Sequence, residues 1–193
     1  MAEGLLRTLL ADNAARADIG SAGLMGGGAP ATAHAVAVMA ERGIDISRHV
    51  SRTIDPEVVR STPLVIGMAR EHVRAAIAGH GADVQHTFTL KGLVRQGEQA
   101  GPRGPDETVP DWLARVAAGR DGADPTRDRH DDDIADPVGK SRADYEATAR
   151  ELDALLRRLV ALIIGEPPRA AASAGSSRSP GAVGEAGYVT GGA

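Results

Sequence analysis

One carboxyl group stands where it could do chemistry: Asp136, in the run Asp133-Ile134-Ala135-Asp136-Pro137-Val138-Gly139, just ahead of the longest helical pattern in the chain. A carboxylic acid on a loop can give a proton to a leaving group and later take one from water. Asp-Pro before a helix is also a common turn, and on its local sequence alone Asp136 reads as that turn. Beside it, His130-Asp131-Asp132-Asp133 offers four metal-type ligands in a row. Consecutive side chains point different ways and seldom meet on one ion, so the run reads as a solvated acidic loop and no metal is expected. Ser21 lacks a G-x-S-x-G elbow, which removes a serine-hydrolase reading. Gly26-Gly27-Gly28 has the spacing of neither a Walker loop nor a dinucleotide fingerprint and reads as a flexible turn. Arg70-Glu71-His72 follows a strand-like run, at the carboxyl edge where α/β proteins place ligands, and is read as mainly structural. Arg7 reads as a solvated helix residue. There is no cysteine, so disulfides, thiolate metal sites and a thiol nucleophile are excluded within these residues.

The 193 residues suit one domain with some tail. Lys plus Arg is 22 and Asp plus Glu is 26, giving a net charge of −4 and no concentrated basic face for nucleic acid. Aromatic residues are scarce (one Trp, two Tyr, one Phe), so the core must be aliphatic. No apolar run approaches the ~20 residues that span a bilayer, and no basic n-region precedes an apolar stretch. A cytoplasmic protein without membrane contact is the expectation.

The elements that must hold these residues follow from periodicity. Ala2, Leu5, Leu6 and Leu9 recur at helical spacing, with no cap and no strand in front of them. Residues 17–22 read as a strand ending at Gly23. Pro30 suits the first turn of a helix that runs to about Arg42, with Gly43 as its left-handed stop. Residues 44–54 read as a structured loop, and Asp55-Pro56 opens a short helix. Residues 63–68 form an apolar run of the kind buried on both faces of a parallel sheet. A helix over 70–78 and a last strand over 83–88 come next. After a Gly/Pro loop between Gln96 and Asp106, Val109, Trp112, Leu113, Val116 and Ala117 mark another helix. The strongest helix covers about 142–164, opened by a capping-box-like Ser141 and Asp144, with Tyr145, Ala149, Leu152, Leu156, Leu159 and Ile163 on one stripe. Residues 1–165 are read as one domain, and 166–193, rich in Ala, Gly, Ser and Pro, as a disordered tail. Strands alternating with helices predict an α/β fold with a doubly wound sheet.

In chain order, the residues MAEGLLR at 1–7, Ser21-Ala22-Gly23, Gly28-Ala29-Pro30-Ala31, the Asp45–Arg52 run DISRHVSR, Met68-x-x-x-His72 and Asp136-Pro137 resemble the low-molecular-weight protein tyrosine phosphatases. The resemblance covers Met1 to about Ile164. It implies a three-layer, doubly wound α/β fold with a parallel sheet of strand order 2-1-3-4. It implies hydrolysis of a phosphorylated protein or small phosphoester through a phosphocysteine, with no cofactor. In that family a first strand leads into a C-x5-R-S phosphate loop, and a Met-Ala-Glu run then opens the first helix. Here Met1 coincides with that internal methionine. The inner strand, the cysteine and the loop arginine are therefore expected to be missing, and Met1 is read as a truncated or misassigned start. Removing an inner strand from strands ~4.8 Å apart leaves a gap of ~10 Å.

By position in the motif, the resemblance assigns Asp136 as general acid and base. It assigns Ser21 and His49 to a supporting hydrogen-bond network behind the phosphate loop. With no nucleophile in the chain, the polypeptide is expected to be inactive. Val138 and Gly139 stand where the best-known tyrosine phosphatases carry aromatic residues. That weakens a platform for a phosphotyrosine ring and leaves phosphoarginine hydrolysis or arsenate reduction as alternatives, beside a non-catalytic binding scaffold.

Overall fold

The computed structural model describes residues 1–15, 17–120 and 130–165. The predicted tail over 166–193 lies outside them. The order is α1 (Ala2–Asp12), α2 (Ala33–Ala40), α3 (Pro56–Ser61), β1 (Val65–Gly67) and α4 (Arg70–Arg74), which runs on into a π turn (Ala75–Gly79). Then come β2 (Thr87–Thr89), α5 (Leu90–Ala100), α6 (Val109–Ala118) and α7 (Arg142–Ile164), with single 3-10 turns at Val84–His86 and His130–Asp132.

β1 and β2 pair in parallel, Val65 opposite Thr87, Ile66 opposite Phe88 and Gly67 opposite Thr89. Successive strand residues face opposite ways, and this divides the molecule into layers. Val65 packs with Val59 of α3, Ala76 of the π turn and Ala82. Leu64 and Ile66 pack on the other side, into the main core of Leu5, Leu9, Phe88, Leu93, Trp112, Leu156 and Leu159. Helices thus cover both faces of a small parallel sheet, the three-layer α/β arrangement expected. α7 is the central helix of the larger layer and packs against α1, α2 and α5. Its predicted stripe is buried at Tyr145, Ala149, Leu152, Leu156 and Leu159. Each such leucine contributes about 1.5–3 kcal/mol on burial. The capping box at Ser141 and Asp144 forms.

Several sequence expectations are corrected. Residues 17–22 form no strand; the nearest pairing is an isolated parallel bridge from Gly23 to Thr53. A strand needs a ladder partner for its amides, and no described residue supplies one there. Pro30 does not open α2. It bridges Val50, and Thr32 is the cap, its hydroxyl accepting from the Ala35 amide at 3.3 Å and donating to the Tyr145 hydroxyl at 3.0 Å. Gly43 is the left-handed stop expected, at φ +74°. The last strand starts later than predicted, because Asp83 caps a 3-10 turn through the Gln85 amide at 2.8 Å.

α5 runs to Ala100 and overturns the loop expected from Gln96. Gly92 and Gly97 obscure the helix in the sequence, since each lowers helix propensity by about 1 kcal/mol relative to alanine. Both glycines answer to packing. A Cβ on Gly97 would lie 3.0 Å from Leu162 and 3.0 Å from Trp112, and one on Gly92 only 2.6 Å from the Thr89 hydroxyl.

Candidate active site

Three segments meet around the amino end of α1. Glu3, in the first helical turn, is the hub. Its Oε1 accepts from Arg7 Nε at 3.1 Å and Nη2 at 3.0 Å, the i,i+4 pairing of an exposed helix face. Its Oε2 accepts from the Ser21 hydroxyl and lies 3.9 Å from His49 Nδ1. Ser21 and His49, the two supporting residues expected from sequence, are therefore brought together on one carboxylate. Neither was expected to meet Glu3. The available signal was a glutamate in a first turn, four residues before an arginine. Arg7 is also less free than predicted, since it donates to the Ile19 carbonyl as well.

The segment carrying His49 is folded by its own polar residues. Asp45 Oδ1 accepts from the Ser47 amide at 2.8 Å, a short Asx turn. Beyond it the backbone of 49–54 is laced to 23–31: Gly23 N–H donates to Arg52 O at 2.8 Å, Gly28 N–H to Ser51 O at 2.8 Å, and Ser51 N–H to Ala29 O at 2.8 Å.

Burial acts to raise the Glu3 carboxyl, but the Ser21 and Arg7 hydrogen bonds and the charges of Arg7 and His49 together hold it below its ordinary value of 4.5. A carboxyl depressed in the folded state stabilises above its unfolded pKa, and that contribution is lost as the pH falls through the folded one. The Tm difference between the protein and Glu3→Gln is expected to be present at neutral pH and to close in acid, below the ordinary value of 4.5. For an exposed cluster its size is about 1 kcal/mol or less. Thermal melts of both proteins across pH check this.

Asp136 sits on the loop that leads into α7 and is exposed. Its Oδ1 accepts from the Val138 amide at 2.9 Å, and Oδ2 has no partner among the described residues. The loop hangs from the carboxyl end of β1, where Ile134 N–H donates to Met68 O at 2.8 Å. At its other end the Thr148 hydroxyl donates to Ala135 O at 3.2 Å, tying it to the first turns of α7. Those turns in turn meet the start of α1: Met1 packs against the cluster of Tyr145, Ala149, Val38 and Ala35. Val138, next to the Asp-Pro pair, is 65% exposed.

The acidic run before Asp136 is not the solvated loop predicted. Asp132 is buried and held by the Arg95 guanidinium through both oxygens. Asp133 is held by Arg70, with Nη2 to Oδ2 at 3.1 Å. Desolvation of a carboxylate needs a paired cation, and the two arginines supply it from α5 and α4. Arg70 is thus structural, as read from sequence. Among the described residues no group of three or more His, Asp or Glu side chains is arranged to hold a metal ion. No helix there is long and apolar enough to cross a membrane.

The family model for low molecular weight phosphotyrosine protein phosphatase matches residues 1–106. Asp136 lies beyond that match. A protein-arginine-phosphatase of Bacillus subtilis (strain 168) is 28% identical over 160 residues, covering 82% of this chain and 84% of the relative. Among solved structures, the fold is similar to a YwlE mutant from Bacillus subtilis, with TM-score 0.60, 26% identity and 82% and 84% of the two chains covered. It is equally similar to a low molecular weight protein tyrosine phosphatase from T. tengcongensis, with TM-score 0.60, 26% identity and 82% and 86% covered.

Proposed function

Because the chain belongs to the low molecular weight phosphotyrosine protein phosphatase family, we propose that it is the acid-bearing frame of a protein phosphatase, with Asp136 as proton donor and acceptor. The substrate class is a phosphorylated protein or small phosphoester. Asp136 protonates the departing oxygen or nitrogen as the P–O or P–N bond breaks. It then takes a proton from the water that hydrolyses the phosphoenzyme. The attacking thiolate and the phosphate-binding arginine of such a reaction are not among these residues, which contain no cysteine. Ser21 and His49 act through Glu3, holding the 18–21 and 45–52 segments against the amino end of α1, where an anion is favoured by unpaired amides and the helix dipole.

The observation that carries this reading is the suspension of the Asp136 loop between the carboxyl end of β1 and the first turns of α7, which pack on Met1. A phosphoarginine substrate is favoured over phosphotyrosine by the exposed aliphatic Val138, which gives an aromatic ester little to stack on. The likeness to a protein-arginine-phosphatase points the same way.

Complementation tests the proposal. The polypeptide is mixed with a synthetic peptide of an apolar strand followed by Cys-x5-Arg-Ser-Pro, and phosphate release is measured. Turnover that needs both components supports it, as does a higher kcat/KM for phosphoarginine peptides than for phosphotyrosine peptides on the substrate point. Turnover of the mixture that is unchanged by Asp136→Asn overturns it.

A further inference from the structure

We propose that Asp133 is the latch that positions Asp136, an inference that rests on the reading of Asp136 as proton donor. Helix α4 begins at Arg70 after Ala69, which offers no capping side chain. The cap comes from 63 residues away: Asp133 Oδ1 accepts the Arg70 amide at 2.8 Å. The same carboxylate takes the Arg70 guanidinium, Nε to Oδ1 at 3.2 Å and Nη2 to Oδ2 at 3.1 Å. Lys91, itself 2.7 Å from Glu151, donates to the Asp133 carbonyl at 2.8 Å.

Three consecutive residues are thus tied down: Asp133 to α4 and α5, Ile134 to the end of β1, and Ala135 to α7. Asp136 is the first residue past these anchors. A charge-assisted cap with a two-toothed guanidinium grip fixes direction as well as distance. The ion pair is only part-buried, at 23% and 38% side-chain exposure, so it contributes little to global stability. Its effect falls on the loop. A polar cavity of about 340 Å³, lined by Ala69, Arg70, Glu71, Arg74 and Asp133, lies beside the latch, so it can open without unpacking the core.

The test uses the protein's lack of cysteine. A spin label on Val138→Cys reports the loop tip through broadening of the α1 amides of Glu3, Gly4 and Leu5. Hydrogen exchange at the Ile134 amide reports the latch, and exchange at Leu152 and Leu156 reports the fold. In Asp133→Ala and Arg70→Ala, Ile134 exchange is expected to rise about tenfold or more, as for loss of a charged hydrogen bond. Broadening at α1 falls several-fold while Leu152 and Leu156 stay protected. Asp133→Asn, which keeps the oxygen that accepts the Arg70 amide, recovers part of both effects. Unchanged broadening and exchange in both alanine variants overturns the latch. Broadening absent from α1 even in the otherwise unsubstituted protein overturns the donor reading and the positioning role with it. The Ile134 exchange still separates that outcome from failure of the latch alone.

Discussion

In the complemented protein, Asp136→Asn is expected to lower kcat by ~10²–10⁴, the range for loss of a positioned general acid. Asparagine keeps the size and the side-chain oxygen that accepts the Val138 amide at 2.9 Å, so the turn should survive. Only the transferable proton is lost. KM should change little, because the acid acts in the transition state rather than on bound substrate. The loss should be largest for poor leaving groups, which need protonation, and smaller for an activated aryl phosphate, which departs readily as the anion. A loss of similar size on both substrate types would point to a damaged loop. Steady-state kinetics on the two substrates decide between these outcomes.

Trp112→Ala carries the largest expected cost in stability. Trp112 is fully buried in the main core, its indole N–H donates to Gly101 O at 2.9 Å, and Gly97 lies against its ring because any side chain there would collide with it. Truncation removes the ring's burial, leaves a cavity between α5, α6 and α7, and strands the Gly101 carbonyl. Such substitutions cost about 3–5 kcal/mol, a large share of a typical domain's 5–15 kcal/mol. The Tm should fall by on the order of 10 °C for a domain of this size. Because Trp112 is the only tryptophan, the melt must be followed by circular dichroism. A loss below about 1 kcal/mol would mean that the neighbours collapse into the site.

Local chemistry in the chain was enough to read α1, α3, α6 and α7, because each buries a stripe or carries a cap within a few residues of its start. Asp55 capping Pro56–Ser61 through the Glu57 amide at 2.8 Å and the Ser141–Asp144 box are contacts between near neighbours. The layered α/β arrangement followed from the same periodicities. Asp136, Ser21 and His49 were identified as candidates by motif order. What the sequence could not show was every relation that spans distance. Residues 17–22 have a strand's composition but no described partner, and a strand exists only as half of a pair. α5 carries Gly97, whose reason is a tryptophan and a leucine elsewhere. Asp132 and Asp133 look like a solvated acidic run until Arg95 and Arg70 arrive from other helices. The meeting of Ser21 and His49 on Glu3 is of the same kind. Helix propensity and capping act over a few residues and are written in the chain. Charge pairing, close approach and strand partnership act across space, and only the tertiary structure decides them.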